Sequence, residues 1–115
     1  MQYIALIYTE EDENFDPASE EAKAMWEAYG VFTQKIIANG QFKAGDALLP
    51  SNTATCVKVR NGKTATTDGP FAESKEQLAG YYLLECADLD EAVAIAAEIP
   101  DAANGTIEVR PIMIP

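Results

Sequence analysis

Two segments of the chain are apolar on both faces when extended, and this feature constrains the fold most. Residues 2–8 are Gln-Tyr-Ile-Ala-Leu-Ile-Tyr, and residues 78–86 are Leu-Ala-Gly-Tyr-Tyr-Leu-Leu-Glu-Cys. Successive side chains of a strand point to opposite sides, so each segment carries apolar groups on both sides. Such a strand is covered twice in a folded protein.

Two amphipathic helices are predicted as part of that cover. The first begins at Asp16-Pro17, an N-cap acceptor followed by proline, and ends at Gly40. The second begins at Asp88, with Glu91 three residues later in the spacing of a capping box, and Pro100 ends it. The apolar stripe of the first helix consists of Met25, Tyr29, Phe32 and Ile36. The stripe of the second consists of Leu89, Ala92, Val93, Ala96 and Ile99.

Further extended segments are predicted at residues 42–49 and 106–109, and a hairpin at residues 54–67, where Asn61-Gly62 is a strong turn signal. The order β-α-β-hairpin-β-α-β predicts one domain over residues 1–115 with an α+β fold, a ferredoxin-like split βαβ sandwich. Two helices cover only one face of such a sheet. If the other face were bare, its exposed apolar area would exceed that found on monomeric proteins, so the sequence predicts a homodimer.

Composition excludes several classes of partner. The formal charge is −11, and the eight Lys and Arg residues form no basic stripe, so neither nucleic acid nor an anionic membrane surface is expected as a partner. The first apolar run is too short to span a membrane and lacks a basic leader, which predicts a cytoplasmic protein. Cys56 and Cys86 are interpreted as buried thiols of a reducing compartment, with a disulfide as the alternative.

Known site chemistries are also missing from the sequence. The chain has no histidine, and therefore no Ser-His-Asp set. Neither a zinc-type ligand spacing nor a glycine loop that cradles phosphate is present, so no metal and no cofactor are predicted.

The most distinctive motif is Asp68-Gly69-Pro70-Phe71, followed by Lys75-Glu76-Gln77-Leu78 and Gly80-Tyr81-Tyr82. On these residues the chain resembles the YCII-related proteins, specifically the branch named for its DGPF motif. The likeness continues through Tyr29-Gly30, Gly45-Asp46, residues 87–92 and residues 108–111. The resemblance implies a dimeric α/β barrel, in which two ferredoxin-like sheets pack face to face, and it implies no established reaction.

The resemblance implies two classes of function. Some YCII-related proteins have a proposed His–Asp pair in a cleft, which suggests a cofactor-independent enzyme or a small-molecule-binding protein. Relatives encoded beside, or fused with, extracytoplasmic-function sigma factors suggest instead a non-catalytic regulatory module that associates with a sigma factor. The helix position of that histidine falls near Tyr29 here, so the His–Asp mechanism does not carry over.

Asp68 is the first candidate site residue, and two interpretations stay open. In one, Asp68 caps its own backbone in a turn that requires Gly69 and Pro70, and Phe71 plugs the edge of the core. In the other, Gly69 and Pro70 hold Asp68 at the mouth of a cleft as a general base, and Phe71 forms a wall of the ligand pocket.

Asp46, Tyr29 and Arg110 complete the candidate set. Asp46 is either the cap of a turn or the second carboxylate of an acid–base pair. Tyr29 either packs in the core or points its phenol into the cleft as an assisting catalytic group. Arg110 either holds an anionic ligand or balances an acid. A metal site made of Asp46 and Asp68 alone has no support in the sequence.

Overall fold

The computed structural model describes all 115 residues, and both doubly apolar segments lie at the centre of its main sheet. The strands are β1 (Gln2–Glu10), β2 (Phe42–Ala47), β3 (Thr55–Arg60), β4 (Lys63–Asp68), β5 (Glu76–Glu85) and β6 (Thr106–Pro111). Four of them form an antiparallel sheet in the order β2-β5-β1-β6. With two helices between the strands, this is the ferredoxin-like α+β arrangement that the sequence predicts.

Helix α1 (Glu20–Ala38) begins later than predicted. Its N-cap is Ser19, whose hydroxyl oxygen accepts a hydrogen bond from the Ala22 N–H at 3.1 Å. The Asp16 carboxylate instead accepts from the Ala18 N–H at 2.9 Å, which stabilises the turn before the helix. The predicted start at Asp16 is therefore wrong. Asp16 and Ser19 are both capping residues and lie close together in the sequence, and Ser19 is the N-cap of the helix.

Helix α2 (Leu89–Ala96) begins as predicted, because Asp88 accepts from the Glu91 N–H at 2.9 Å and Glu91 accepts from the Ala87 N–H at 3.0 Å. Its predicted stripe is partly wrong. Ile95 is buried, whereas Leu89 and Val93 are about half exposed, since the helix turns its Ile95 side towards the sheet. No helix of the structure combines the length and the apolar composition that crossing a membrane requires.

The core lies between the two helices and one face of the sheet. The ring of Phe32 meets that of Tyr82 edge to face at 5.2 Å, and the hydroxyl groups of Thr33 and Tyr82 are 2.7 Å apart. The buried side chains are Tyr3, Ala5, Ile7, Phe32, Ile36, Tyr82, Leu84, Cys86, Ala92, Ile95, Ala96 and Ile99. Residues that alternate with these on the strands point to the opposite side of the sheet, which we call the open face.

Strands β3 and β4 form a separate two-stranded sheet, the hairpin predicted from Asn61-Gly62. The φ angles of Asn61 and Gly62 are 53° and 74°, which is the geometry of a type I′ turn. Both cysteine thiols are free. Only Cys86 is buried, since Cys56 lies at the base of the hairpin and stays partly exposed.

Candidate functional site

Asp46 and Tyr81 form a hydrogen-bonded pair on the open face. The two residues oppose each other in the β2–β5 register, so their side chains share one face, and the neighbouring Tyr82 points into the core on the other. The Tyr81 hydroxyl donates to Asp46 Oδ2 at 2.7 Å. This hydrogen bond, and then the charge of Asp46, raise the pKa of Tyr81, so that its phenol stays protonated at neutral pH.

Two glycines allow β2 to approach β5 closely enough for this pair. A Cβ atom at Gly80 would lie 2.9 Å from the carbonyl oxygen of Asp46. A Cβ atom at Gly45 would lie 2.7 Å from Cδ1 of Tyr82. Both positions lie under the separation that side-chain carbons tolerate, so these glycines set the position of Asp46 relative to the sheet.

The surroundings of the pair are apolar along the middle of the sheet. Leu6 opposes Tyr81 on the adjacent strand, and Ile4 opposes Leu83 one pair further along. These side chains are partly exposed in a single copy of the chain. The middle of the open face is therefore apolar, and the Asp46–Tyr81 pair borders it on the β2 side.

Arg110 lies on the open face at the opposite edge. It belongs to β6, where it opposes Ile4, and it makes no ion pair with a carboxylate of the chain. Strands β5 and β1 separate its strand from that of Asp46. Its guanidinium is exposed and free to meet an anionic group, and the alternative of balancing an acid is not realised within one chain.

An open groove of about 460 Å³ lies at one end of this face, lined by Tyr8, Ser74, Glu76, Thr106 and Glu108. The Thr106 hydroxyl donates to Glu76 Oε1 at 2.8 Å, which ties β6 to the start of β5. The groove is largely polar and contains two carboxylates. It marks the end of the sheet from which the hairpin departs.

Asp68 ends strand β4, opposite Thr55 at the base of the hairpin. Its side chain is exposed, and its carboxylate accepts no hydrogen bond within the chain, so the interpretation in which Asp68 caps its own backbone is wrong. The turn is held by Gly69 instead, whose N–H donates to the Ala54 carbonyl at 2.8 Å and whose carbonyl accepts from the Cys56 thiol at 3.3 Å. Gly69 has a φ of 98°, which explains why glycine is required there.

Phe71 does not plug the core, and that expectation is wrong, because its side chain is 84% exposed. The loop that contains it is held by Gln77, whose Nε2 donates to the carbonyls of Ala72 at 2.9 Å and Ser74 at 3.0 Å. These bonds hold the loop backbone to Gln77, and Pro70 beside Gly69 is partly buried.

Tyr29 lies on the helix side of the sheet, where it packs against the core. Its hydroxyl donates to Asp101 Oδ2 at 2.5 Å, in the turn of 3-10 helix Pro100–Ala103 that leads to β6. Burial, followed by the contact with Asp101, raises the pKa of Tyr29, so the phenol is neutral. The geometry is that of the core interpretation, with a hydrogen bond at the edge of the core.

The three candidate catalytic residues are not brought together within one chain. Asp46 lies on the open face, Tyr29 on the helix side and Asp68 on the hairpin. No group of three or more histidine, cysteine, aspartate or glutamate side chains is arranged to bind a metal ion.

Sequence reasoning missed the role of Tyr81 and a clamp at Glu11. Its setting in the sequence marks Tyr81 only as an apolar strand residue, although a glycine directly precedes both Asp46 and Tyr81. The Glu11 carboxylate accepts from the hydroxyl and the N–H of Ser51, the latter at 2.7 Å, and these bonds lower its pKa. No local pattern joins positions 40 residues apart.

The similarity of this chain to known proteins extends over nearly its whole length. The model of the YCII-related domain matches residues 1–114. An uncharacterised protein of Rhizobium meliloti (strain 1021) is 34% identical over 116 residues, which cover 99% of this chain and 94% of that protein. Membership of the branch named for the DGPF motif stays a prediction. With a match over nearly all its residues, the chain belongs to the YCII-related family.

Proposed function

We propose that this chain is a small-molecule-binding protein that works as a homodimer and holds its ligand against the open face of the sheet. The observation that carries the proposal is the Asp46–Tyr81 pair, which places a carboxylate and a phenol beside the apolar middle of the open face. Binding sites for small organic molecules commonly combine an apolar lining with a few polar groups that orient the ligand.

The homodimer supplies the enclosure that one copy lacks. In a single chain the open face leaves Ile4, Leu6 and Leu83 partly exposed, and the groove at its end is open to solvent. A second copy packed on this face would remove those side chains from water, which favours association by roughly 25 cal/mol per Å² of apolar area. The same packing would turn an open surface into a cleft between two sheets.

Asp46 is the proposed anchor for a hydrogen-bond donor on the ligand. Oδ2 of Asp46 is engaged by Tyr81, whereas Oδ1 has no partner in the chain. A carboxylate in a dry cleft accepts a proton or a hydrogen bond strongly, and Tyr81 would keep it in one rotamer. If the protein catalyses a reaction, this pair is the proposed general base and its positioning group.

Asp68 enters the proposal as a second carboxylate. It accepts no hydrogen bond within its own chain, and Gly69 and the β3–β4 pairing hold its backbone in place. It would contribute to a ligand site only where the base of the hairpin borders the cleft between two copies.

A thermal-shift screen with small metabolites tests the proposal. A ligand at 100 times its Kd stabilises the native protein by about 2.7 kcal/mol, which raises Tm by several degrees. We expect Asp46→Asn and Tyr81→Phe to lose the response to a ligand that shifts the wild-type protein. Asp90→Asn, an exposed aspartate on α2 far from the open face in sequence and topology, is the matched control. Full retention of the response by Asp46→Asn would exclude this site.

The second candidate function is a non-catalytic regulatory module associated with an extracytoplasmic-function sigma factor. The observation that favours it is that two large aromatic side chains outside the sheet are exposed, Trp26 by 76% and Phe71 by 84%. Such side chains are enriched in protein interfaces. Co-purification of a sigma factor with the wild-type chain, and its loss on Phe71→Ser or Trp26→Ser, would support this function over ligand binding.

A further inference from the structure

The β3–β4 hairpin is almost uncovered in a single copy. Eleven of its twelve strand residues are exposed, Cys56 being the exception. Val57 and Val59 are 61% and 57% exposed, and the hairpin packs extensively on no other element. An isolated two-stranded hairpin is at best marginally stable in water, so a hairpin of this length normally has a partner surface.

The two faces of the hairpin differ in chemistry. The register pairs Val57 with Thr66 and Val59 with Thr64, so these four side chains share one face, here called the β-branched face, with the Thr55–Asp68 pair at its base. Lys58, Arg60 and Lys63 lie on the opposite, basic face. Cross-strand Val–Thr pairs suit a face that packs against another surface, whereas basic side chains suit solvent.

The hairpin also stands away from its own body. The radius of gyration is 16.1 Å, against about 13 Å for a compact domain of similar length. The principal extents are 47 × 44 × 19 Å. The smallest of them, 19 Å, corresponds to the thickness of one helix layer packed on one sheet. The hairpin therefore extends sideways from the main sheet and its two helices and covers little surface of its own chain. We call the hairpin the arm, and the main sheet with its two helices the body.

Charge indicates what this arm meets. The hairpin carries three of the eight basic residues and, in Asp68, one of the 19 acidic ones. Since the whole chain has a formal charge of −11, a hairpin at +2 leaves −13 for the rest of the chain. A second copy therefore presents an acidic body to a basic arm, and two exchanged arms also offset the repulsion between two acidic bodies.

We propose that the β3–β4 hairpin is an arm that docks by its β-branched face onto the body of a second copy of this chain. The inference extends the homodimer of the proposed function. The exchange is reciprocal in a two-fold dimer, because each copy gives one arm and receives one. Charge attracts the arm to the acidic body, and the valine and threonine side chains make the contact.

Sedimentation equilibrium of matched variants tests the arm. We expect Val57→Ser/Val59→Ser to raise the dimer Kd about tenfold or more, because two apolar side chains leave the interface. Val31→Ser on α1, where the valine is 68% exposed, makes the same chemical change outside the hairpin and should leave Kd unchanged. A hairpin variant with the wild-type Kd and a native circular-dichroism spectrum overturns the proposal.

Hydrogen exchange of the wild-type protein decides the matter even if the variant does not fold. We expect the hairpin amides to exchange slowly above the dimer Kd and quickly below it, and rates that do not depend on concentration overturn the arm. Leu83→Glu separates this outcome from failure of the sheet-face dimer. If Leu83→Glu gives monomers while the hairpin variant dimerises normally, the sheets pair without the arm. The dimer Kd and the exchange rates are measured without ligand, so a failure of the proposed ligand binding would not change either result.

Discussion

At the scale of single residues, hydrogen bonds separate the candidate site residues from each other. Tyr81 and Asp46 are joined across two strands, and Tyr29 is joined to Asp101 at the edge of the core. Asp68 has no such bond. Asp68, the candidate that the sequence favours most, is thus the only one of the three candidate catalytic side chains that no hydrogen bond holds in place. The turn depends on Gly69 beside it.

Asp68→Asn and Asp68→Ala test this distinction. Because the exposed carboxylate makes no hydrogen bond in the chain, we expect both to change the free energy of unfolding by less than about 0.5 kcal/mol. Gly69→Ala should be more destabilising, by about 1 kcal/mol, since φ is 98° there. Urea denaturation measures all three. If Asp68→Asn also loses a ligand response, Asp68 belongs to the site; if it retains every response, Asp68 has no part in it.

Tyr29→Phe tests the hydrogen bond at the core edge through pH. The native fold raises the pKa of Tyr29 above its ordinary value of 10.0, so the folded state retains a proton that the unfolded state releases. Stability is therefore present below pH 10 and falls as the pH rises above it. We expect Tyr29→Phe to lower stability by about 1 kcal/mol at pH 7 and to flatten the decline above pH 10. Equal slopes for the two proteins, measured by urea denaturation from pH 7 to pH 11, would contradict this account.

At the scale of elements, the close approach of β2 to β5 decides the candidate site. Gly80 and Gly45 leave room for the neighbouring backbone and for the Tyr82 ring. The strands themselves follow from alternation and turn signals in the sequence. The pairing register does not follow from such local signals, since it depends on contacts between segments that are more than 30 residues apart.

Gly80→Ala and Gly30→Ala form a matched pair for this element. The new Cβ at residue 80 would meet the Asp46 carbonyl oxygen at 2.9 Å, so β2 must shift. We expect a destabilisation of about 1–3 kcal/mol and a weakened ligand response. Gly30 has open space around it in the middle of α1, so Gly30→Ala should stabilise by about 0.5–1 kcal/mol. A neutral Gly80→Ala would mean that the strand spacing does not set the position of Asp46.

At the scale of the whole molecule, two surfaces of a single copy lack cover, the open face and the hairpin. The chain buries 13 of its 115 residues, because one sheet face packs on helices and the other packs on nothing. The proposed homodimer, with sheet-to-sheet contact and exchanged hairpins, would cover both surfaces.

Leu83→Glu tests the sheet-face contact directly. The side chain of Leu83 lies at the centre of the open face, opposite Ile4 and Ala44. A charge buried there without a partner would cost several kcal/mol, so we expect the variant to be monomeric while keeping the wild-type helix and strand content. Light scattering and circular dichroism measure the two quantities. A wild-type protein that scatters as a 12.4 kDa monomer at micromolar concentration would contradict the homodimer.

The amino-acid sequence alone determined the order of the elements, the hairpin turn, the start of α2 and the family. These properties follow from local signals, such as Asn61-Gly62, the Asp88 cap and the DGPF motif, which act over a few residues. Only the tertiary structure decided that Asp46 meets Tyr81, that Tyr29 meets Asp101 and that Phe71 lies outside the core. Each of these contacts depends on strand register or on the packing of a helix against the sheet, and such non-local terms leave no periodic pattern in the chain.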